Sequence, residues 1–366
     1  MKKITNEISA SAKKSLLTRT ITAIVLAALA VPAIIVGGWF FFFFSLVVTI
    51  LSAFEIVRVS NIKGLLKVLI YFITIVITLG IIYYSMYEQN VDALKSGGNK
   101  ALVDVNFLVN SFVGTVDTAT KTSRLTGINL SIMLVTLMLC IYFLISFTVE
   151  AFNIAYVFYF STMVVVVSIG IQSLLFLRYA PFYFVKTDLM DKAIFVDNVV
   201  KTNGFKYGQS MFLLLYVILG VIFNDMGAYF VGMFFGKHKM NERISPKKTW
   251  EGFIGGVVFS IIVSSLFALF CAIGDKPILP MFDLSHLYYV IIISILIPLI
   301  SDVGDFVFSA VKRTFGVKDF SNLLPGHGGI LDRIDSLLFA AALVACLIIF
   351  IATVNVRGTA NGVISA

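Results

Sequence analysis

Charged residues are scarce in this sequence. Only 13% of its 366 residues are Asp, Glu, Lys or Arg, which is about half the ~25% of ordinary soluble domains. Hydrophobic residues make up 59%, and Phe alone occurs 35 times. A chain of this length could bury a large core, but it has too few charged residues to cover that core with a polar surface. The composition therefore predicts a polytopic membrane protein and excludes a disordered chain or a nucleic-acid-binding domain, despite a net charge of +8.

Cysteine is also scarce, and the positions of the three cysteines exclude two kinds of site. Cys140, Cys271 and Cys346 each occur singly in a different apolar segment. The sequence contains no Cys-x-x-Cys pair and no Cys/His cluster, so it supports neither a disulfide framework nor a zinc site. We expect the three thiols to pack among apolar side chains, as free cysteines usually do.

Long apolar runs dominate what is present. Nine of them approach the ~20 residues that a helix needs to cross a bilayer. They cover residues 20–36, 39–57, 68–85, 128–148, 152–177, 208–230, 252–273, 287–309 and 336–355. We therefore predict an all-α integral membrane protein of about nine transmembrane helices.

The polar segments between these runs differ in their content of basic residues. If the N-terminus is cytoplasmic, the inner segments carry about twice the density of Lys and Arg of the outer ones, as the positive-inside rule requires. This bias predicts an N-in, C-out protein of the cell membrane. Two long outer segments, 86–127 and 178–206, mix charges of both signs with small polar residues and are expected to be solvated loops.

The runs also divide the chain into two membrane regions. Residues 1–206 would form an N-terminal region of about five spans. Residues 207–366 would form a catalytic region of about four spans, with cytoplasmic loops at 237–251 and 312–335. Because the polar motifs that could form a site all follow residue 220, we place the active site in the second region, on its cytoplasmic side.

Three aspartates interrupt the apolar runs of the second region. Asp225 lies in the sixth span, and Asp302 and Asp305 lie in the eighth. A bare carboxylate at this depth costs on the order of 2.5–3.5 kcal/mol, so acids inside spans usually have a function. Carboxylates with open water positions suit Mg²⁺, and the three aspartates therefore predict a hard-cation site. The alternative is that a cavity hydrates them or that they pair with lysines of the inner loops.

The spacing of polar residues in the eighth span supports a site. Asp302, Asp305, Ser309 and Lys312 recur at helical intervals and so share one face of the predicted helix. A helix that faces only lipid has no use for such a stripe. The stripe could also line a transport path, and this alternative stays open.

The segment 312–335 that follows is rich in charge and glycine. A Gly-rich backbone such as 325–329 can present N–H groups to phosphate oxygens, and a following helix N-terminus adds its dipole. His327, which stands between glycines, could donate to a phosphoryl oxygen. Asp332 and Asp335 would face the same way at the start of the ninth span, where simple N-capping is their alternative role.

The other inner loop, 237–251, is basic. Five basic residues against two acids leave it a local charge of +3. A cytoplasmic flank would explain the lysines without any site. It explains Ser245-Pro246 and the run 249–252 less well, so we interpret Ser245, Lys247 and Lys248 as part of a basic clamp on an anionic ligand.

One stretch of the second region carries a recognisable pattern. It consists of Ser309–Arg313, Lys318–Asp319 and Pro325–Asp335, separated by four and five residues. This pattern resembles the signature of the phosphatidate cytidylyltransferases, which are also called CDP-diacylglycerol synthases. Residues 224–232 and 245–252 resemble further elements of that family, so the resemblance covers roughly residues 220–340.

The resemblance implies a reaction, a cofactor and a set of site residues. The family couples CTP and phosphatidic acid into CDP-diacylglycerol and pyrophosphate with the help of Mg²⁺. The implied catalytic residues are Asp305, Asp332, Lys312, Asp302 and Asp335. Asp305 and Asp332 would bind the metal, and the intramembrane position of Asp225 makes it a third candidate ligand. The residues expected to bind substrate are Ser245, Lys247, Lys248, Ser309, Arg313, Lys318, Gly326, His327, Gly328, Gly329 and Arg333.

The expected partners follow from this reading. They are CTP, phosphatidic acid and the lipid bilayer, with no nucleic acid, and a second copy of the chain is a candidate partner in a homodimer.

Two rival functions stay open. One is a nucleotidyltransferase that acts on another lipid phosphate, and the other is an ion or phosphate transporter.

Overall fold

The computed structural model describes residues 10–95, 127–186, 211–274, 278–279 and 287–364. Its helices are α1 (Ala10–Val36), α2 (Gly38–Val59), α3 (Gly64–Lys95), α4 (Gly127–Thr148), α5 (Ile154–Lys186), α6 (Met211–Phe235), α7 (Trp250–Ile273), α8 (Leu287–Thr314) and α9 (Leu331–Ile364). Two short strands, β1 (Lys239–Asn241) and β2 (Ser245–Thr249), lie between α6 and α7 and pair antiparallel.

The predicted all-α membrane architecture is confirmed. Within the described residues, nine helices are long and apolar enough to cross a bilayer. Several extend beyond their apolar run: α3 and α5 continue into the segments predicted as outer loops, and the rest of those loops lies outside the described residues. The N-in, C-out orientation stays a prediction.

The central helix of the bundle is α5. It packs against α2, α3, α4, α6 and α9, and half of its membrane-spanning residues are buried. By contrast, only 6% of the span in α1 is buried, so this helix lies at the edge of the bundle. Helix α5 thus joins the first helices of the chain to the second region.

Hydrogen bonds between side chains hold helices together inside the apolar bundle. Thr74 of α3 pairs with Tyr142 of α4 at 2.8 Å, and Tyr216 of α6 pairs with Ser294 of α8 at 2.7 Å. Association in lipid relies on such bonds and on close packing, because lipid tails are as apolar as the helix surfaces. These buried pairs therefore help to fix which helices are neighbours.

Helices α6 and α7 make the closest pair, and glycines explain why. An ideal Cβ built on Gly256 of α7 would lie 2.6 Å from the main-chain oxygen of Asn224 in α6. Only a residue without a Cβ permits this approach. The contact fixes the position of the α6 turn that carries Asn224 and Asp225.

We expect Gly256→Ala to destabilise the protein, because its methyl group would overlap the backbone of α6. Overpacking of this kind costs about 1–3 kcal/mol of unfolding free energy, which thermal unfolding in detergent measures as a lower Tm. Gly274→Ala is the matched control, since its Cβ would meet no neighbour closer than 3.4 Å. Equal Tm values for the two variants would contradict this account of the packing.

Candidate active site

Several predicted site residues of the second region line a cleft bounded by α6, α7, α8 and the hairpin. The cleft has a volume of about 320 Å³. Its polar lining includes Asp225, Asp302, Lys247, Lys248 and Thr249. The three aspartates and the basic loop that the sequence singled out therefore converge on one place, with Asp305 beside it.

Lys248 connects the two aspartates of α8. Its Nζ lies 2.9 Å from Oδ1 of Asp302 and 2.7 Å from Oδ2 of Asp305. Burial alone would lower the pKa of Lys248, but the carboxylates of Asp305 and Asp302 outweigh this effect and raise it. Lys248 is thus held as a cation between two carboxylates, as the pairing alternative from the sequence anticipated.

The hairpin that carries Lys248 replaces the loop predicted over 237–251. Thr249 ends β2 and caps α7, since its side chain accepts a hydrogen bond from Gly252 N at 3.2 Å. Glu251 in the first turn of α7 accepts bonds from the backbone N–H groups of Lys237 and His238 and lies 2.6 Å from His238 Nδ1. These contacts fasten the hairpin to α7 and so hold Lys248 against α8.

Helix α8 keeps the predicted polar stripe on one face. Ser309 Oγ donates to Asp305 Oδ1 at 3.2 Å, one helical turn away. One turn further, Lys312 Nζ donates to Asp332 Oδ1 of α9 at 2.7 Å and lies 4.0 Å from Asp335 Oδ2. The stripe therefore connects two ion-pair clusters, one centred on Lys248 and one on Lys312.

Asp332 is fully engaged within the protein. Its Oδ1 accepts from Lys312, while its Oδ2 accepts from the backbone N–H groups of Phe320 and Gly329, each at 2.9 Å. Its side chain is only 2% exposed. In this arrangement Asp332 fixes the loop between α8 and α9.

The loop's own backbone N–H groups have internal acceptors as well. His327 N donates to Leu324 O at 2.8 Å, Gly328 N donates to the same oxygen at 3.1 Å, and Gly329 N donates to Asp332. Gly326 and Gly328 have φ values of 76° and 83°, which side-chain-bearing residues rarely adopt. The glycines thus shape a tight turn here, and the phosphate cradle expected at 325–329 stays a prediction.

The donor set around the cleft fits a hard cation. Asp225 and Asp302 line the cleft together. Asn224, whose Nδ2 donates to Asp302 Oδ2 at 3.1 Å, has a buried Oδ1 with no hydrogen-bond partner. Carboxylate and amide oxygens are the ligands that Mg²⁺ takes. Among the residues described, however, no three acids, histidines or cysteines are already arranged around a single metal position.

Several predicted substrate residues lie outside the two clusters. Arg313 donates to the main-chain oxygens of Ile244 and Val317, both at 3.3 Å, and so joins the hairpin to the end of α8. Ser245 pairs with Asn241 in the hairpin. Lys318 and Arg333 are exposed, and neither forms an ion pair with any residue that the structure describes.

Reasoning from sequence missed two residues. Asn224 was given no role, although a polar residue beside Asp225 in an apolar run was a usable signal. Glu55 was given no role either, yet its carboxylate is completely buried against the loop that precedes α9. No sequence signal could have paired residues so far apart along the chain.

We expect Lys312→Ala to destabilise the protein strongly, because it leaves the buried carboxylate of Asp332 without its cation. Removing one partner of a buried pair costs about 3–5 kcal/mol, measured as the Tm in detergent. Lys63→Ala, on an exposed lysine, should leave the Tm unchanged. Adding Asp332→Asn to Lys312→Ala should recover part of the loss, and a double variant no more stable than the single one would contradict the pairing.

Known proteins that are similar to this chain are named as cytidylyltransferases. A family model described as "Cytidylyltransferase family" matches residues 17–351. The phosphatidate cytidylyltransferase of Staphylococcus saprophyticus is 36% identical over 184 residues, which are 49% of this chain and 67% of that protein. Those of Haemophilus influenzae and Bacillus subtilis are 44% and 42% identical over 135 and 126 residues, which cover 36% and 34% of this chain and 44% and 43% of those proteins. The chain is therefore an enzyme of the cytidylyltransferase family, as the pattern in residues 309–335 predicted.

Proposed function

We propose that this enzyme makes CDP-diacylglycerol and pyrophosphate from CTP and phosphatidic acid. One observation carries the proposal: Lys248 lines a single cleft with Asp225 and Asp302 among membrane-spanning helices, and its Nζ also contacts Asp305 beside that cleft. The names of the similar bacterial proteins indicate phosphatidate as the acceptor.

The chemistry of this reaction asks for charge neutralisation more than for a base. The nucleophile is the phosphate of the lipid, whose second pKa near 6 leaves it largely anionic at neutral pH. It must approach the α-phosphorus of a polyanionic nucleotide, with pyrophosphate leaving from the opposite side. Fixed cations and metal ions lower the barrier by neutralising both anions and aligning the displacement.

The basic residues of the hairpin would bind the nucleotide. Lys247 and Lys248 line the cleft side by side. Lys248 is 24% exposed at its side chain, so an incoming phosphate can reach its Nζ. When a phosphate binds, its oxygen would replace one of the two carboxylate partners of Lys248. That carboxylate could then bind the metal ion.

Mg²⁺ fits the acids of the same cleft. Asp225, Asp302 and the neighbouring Asp305 would hold it, and Mg²⁺ would supply neutralisation of the phosphate charges. Asp332 is better suited to holding the loop, because its Oδ2 accepts from two backbone N–H groups of that loop and its side chain does not line the cleft.

The cleft is also placed for a lipid. Tyr229 and Met233 line it from α6 and are exposed on the outside of the bundle. An acyl chain could lie against these side chains while its phosphate points toward Lys248. We place this side of the cleft at the cytoplasmic leaflet, where CTP is available, consistent with the basic flanks of α6 and α7.

Two rival functions make different demands. A transferase for another lipid phosphate would use the same site, and only substrate comparison separates the two. A transporter would need ionisable groups along a path through the bundle. In the part of the chain that the structure describes, the two ion-pair clusters instead lie only about two turns apart on α8, which favours an enzyme.

The direct test is turnover by the purified protein. Incubation with labelled CTP, Mg²⁺ and phosphatidic acid in detergent should yield a labelled CDP-lipid and pyrophosphate. Replacing phosphatidic acid by an isoprenoid phosphate, or CTP by other nucleotides, should abolish or greatly reduce the product. Turnover of the isoprenoid phosphate alone would favour the first rival, and no product with any pair would overturn the proposal.

We expect Asp305→Asn and Asp225→Asn to lower kcat by at least about 10²-fold, the scale on which losing one preorganised electrostatic group slows an enzyme. Each variant should elute as a monodisperse peak in detergent. Glu242→Gln, in the exposed hairpin turn, is the matched control and should retain wild-type activity. Near-normal turnover by both aspartate variants would exclude this cleft as the metal site.

Removal of divalent cations with EDTA should abolish turnover, because no metal ion then neutralises the negative charges of the aspartates and of the substrate phosphates. Titration of Mg²⁺ back into the sample should restore it, while Ca²⁺, which is larger and less strict in its geometry, should not restore it fully. Undiminished activity in EDTA would contradict the proposed role of Mg²⁺.

A further inference from the structure

Glu55 is a buried carboxylate that the proposed reaction does not use. It lies on α2, one turn before the end of that helix, and is 0% exposed. Its Oε1 accepts from Ser321 Oγ at 2.6 Å and from Ile330 N at 2.8 Å, and its Oε2 accepts from Leu331 N at 2.8 Å. A buried carboxylate persists only with such compensation, so these contacts are integral to the fold.

The two backbone donors belong to the start of α9. The first N–H groups of a helix have no partner within the helix, and the helix dipole favours a negative charge beside them. Such a charge usually comes from a residue in the same chain segment. Here Glu55 supplies it from a helix about 275 positions earlier, so α2 caps the helix that carries Asp332 and Asp335.

Glu55 and Asp332 together hold both ends of the loop between α8 and α9. Near the start of the loop, Phe320 N donates to Asp332 and Ser321 Oγ donates to Glu55. Near its end, Gly329 N donates to Asp332 and Ile330 N donates to Glu55. Adjacent donors thus alternate between two carboxylates that approach the loop from different helices.

Gly329 shows how closely Glu55 approaches. An ideal Cβ at this position would lie 2.6 Å from both carboxylate oxygens of Glu55. Glycine is therefore required here by the side chain of α2. A second contact from the first region, Thr22 Oγ1 to Pro325 O at 2.9 Å, supports the same loop.

We propose that Glu55 is a positioning residue of the active site, acting on the loop between α8 and α9 and, through it, on the Lys312–Asp332 pair. The expected effect of Glu55 on kcat rests on the proposed function. Positioning by Glu55 gives the N-terminal helices an indirect role in catalysis, although none of their described side chains lines the cleft.

Glu55→Gln is the sharpest variant. An amide has only one acceptor oxygen, so in either orientation its NH₂ group must face a backbone N–H, that of Ile330 or that of Leu331. We expect the loop to shift, with kcat falling about 10²-fold, the scale of a misplacement near 1 Å. Ser321→Ala removes only one donor and should lower kcat about fivefold.

Hydrogen exchange gives a readout that does not depend on activity. Mass spectrometry of full-length protein in nanodiscs should show faster exchange in residues 319–331 of Glu55→Gln, with the other helices unchanged. Tyr142→Phe is the matched control, because it removes a buried hydrogen bond to Thr74 in the same N-terminal region without touching the loop. It should leave both exchange in 319–331 and kcat at wild-type values.

The outcomes separate the possibilities. A kcat loss with exchange raised only in 319–331 supports positioning. Unchanged exchange in that segment, or exchange raised equally in all helices, overturns it. If Glu55→Gln cannot be recovered folded, Ser321→Ala decides by the same two measurements. If wild-type protein forms no CDP-lipid, the proposed function fails, and hydrogen exchange alone then decides the role of Glu55.

Discussion

The structure depends on one constraint: a carboxylate buried among membrane helices must find donors within the protein. Asp302 and Asp305 both pair with Lys248. Asp332 accepts from Lys312 and from two backbone N–H groups. Glu55 accepts from the backbone at the start of α9. In a medium of low polarity an unmet carboxylate would cost several kcal/mol. Each acid therefore determines the position of the element that supplies its donors.

This constraint orders the second region around α8. The ion pairs of Lys248 with α8 fix the position of the hairpin. Thr249 and Glu251 also bind the hairpin to α7. The loop before α9 is placed because its N–H groups are the donors for Asp332. The same interactions that satisfy buried charge thus build the proposed nucleotide site, and ligand binding would work by exchanging partners that are already close.

The division of labour among the acids differs from what their spacing suggests. Asp225 and Asp302 line the cleft proposed for the nucleotide and lipid, with Asp305 beside it, whereas Asp332 and Glu55 have their oxygens engaged with the loop. The three aspartates at the cleft are suited to binding a metal and phosphates. Asp332 and Glu55 are suited to holding the loop that positions the site. A membrane enzyme with few charges can therefore use them in two distinct ways.

The sequence by itself determined the membrane class, the nine spans, the shared face of Asp305 and Lys312, and the family, because hydropathy, helical spacing and motif order are properties of neighbouring residues. Only the tertiary structure decided that Lys248 bridges two aspartates, that the basic loop is a hairpin and that Glu55 caps α9. The contacts of Lys248 and Glu55 join segments that are far apart in the chain. The donors that a buried carboxylate finds depend on how helices pack, which no local pattern records.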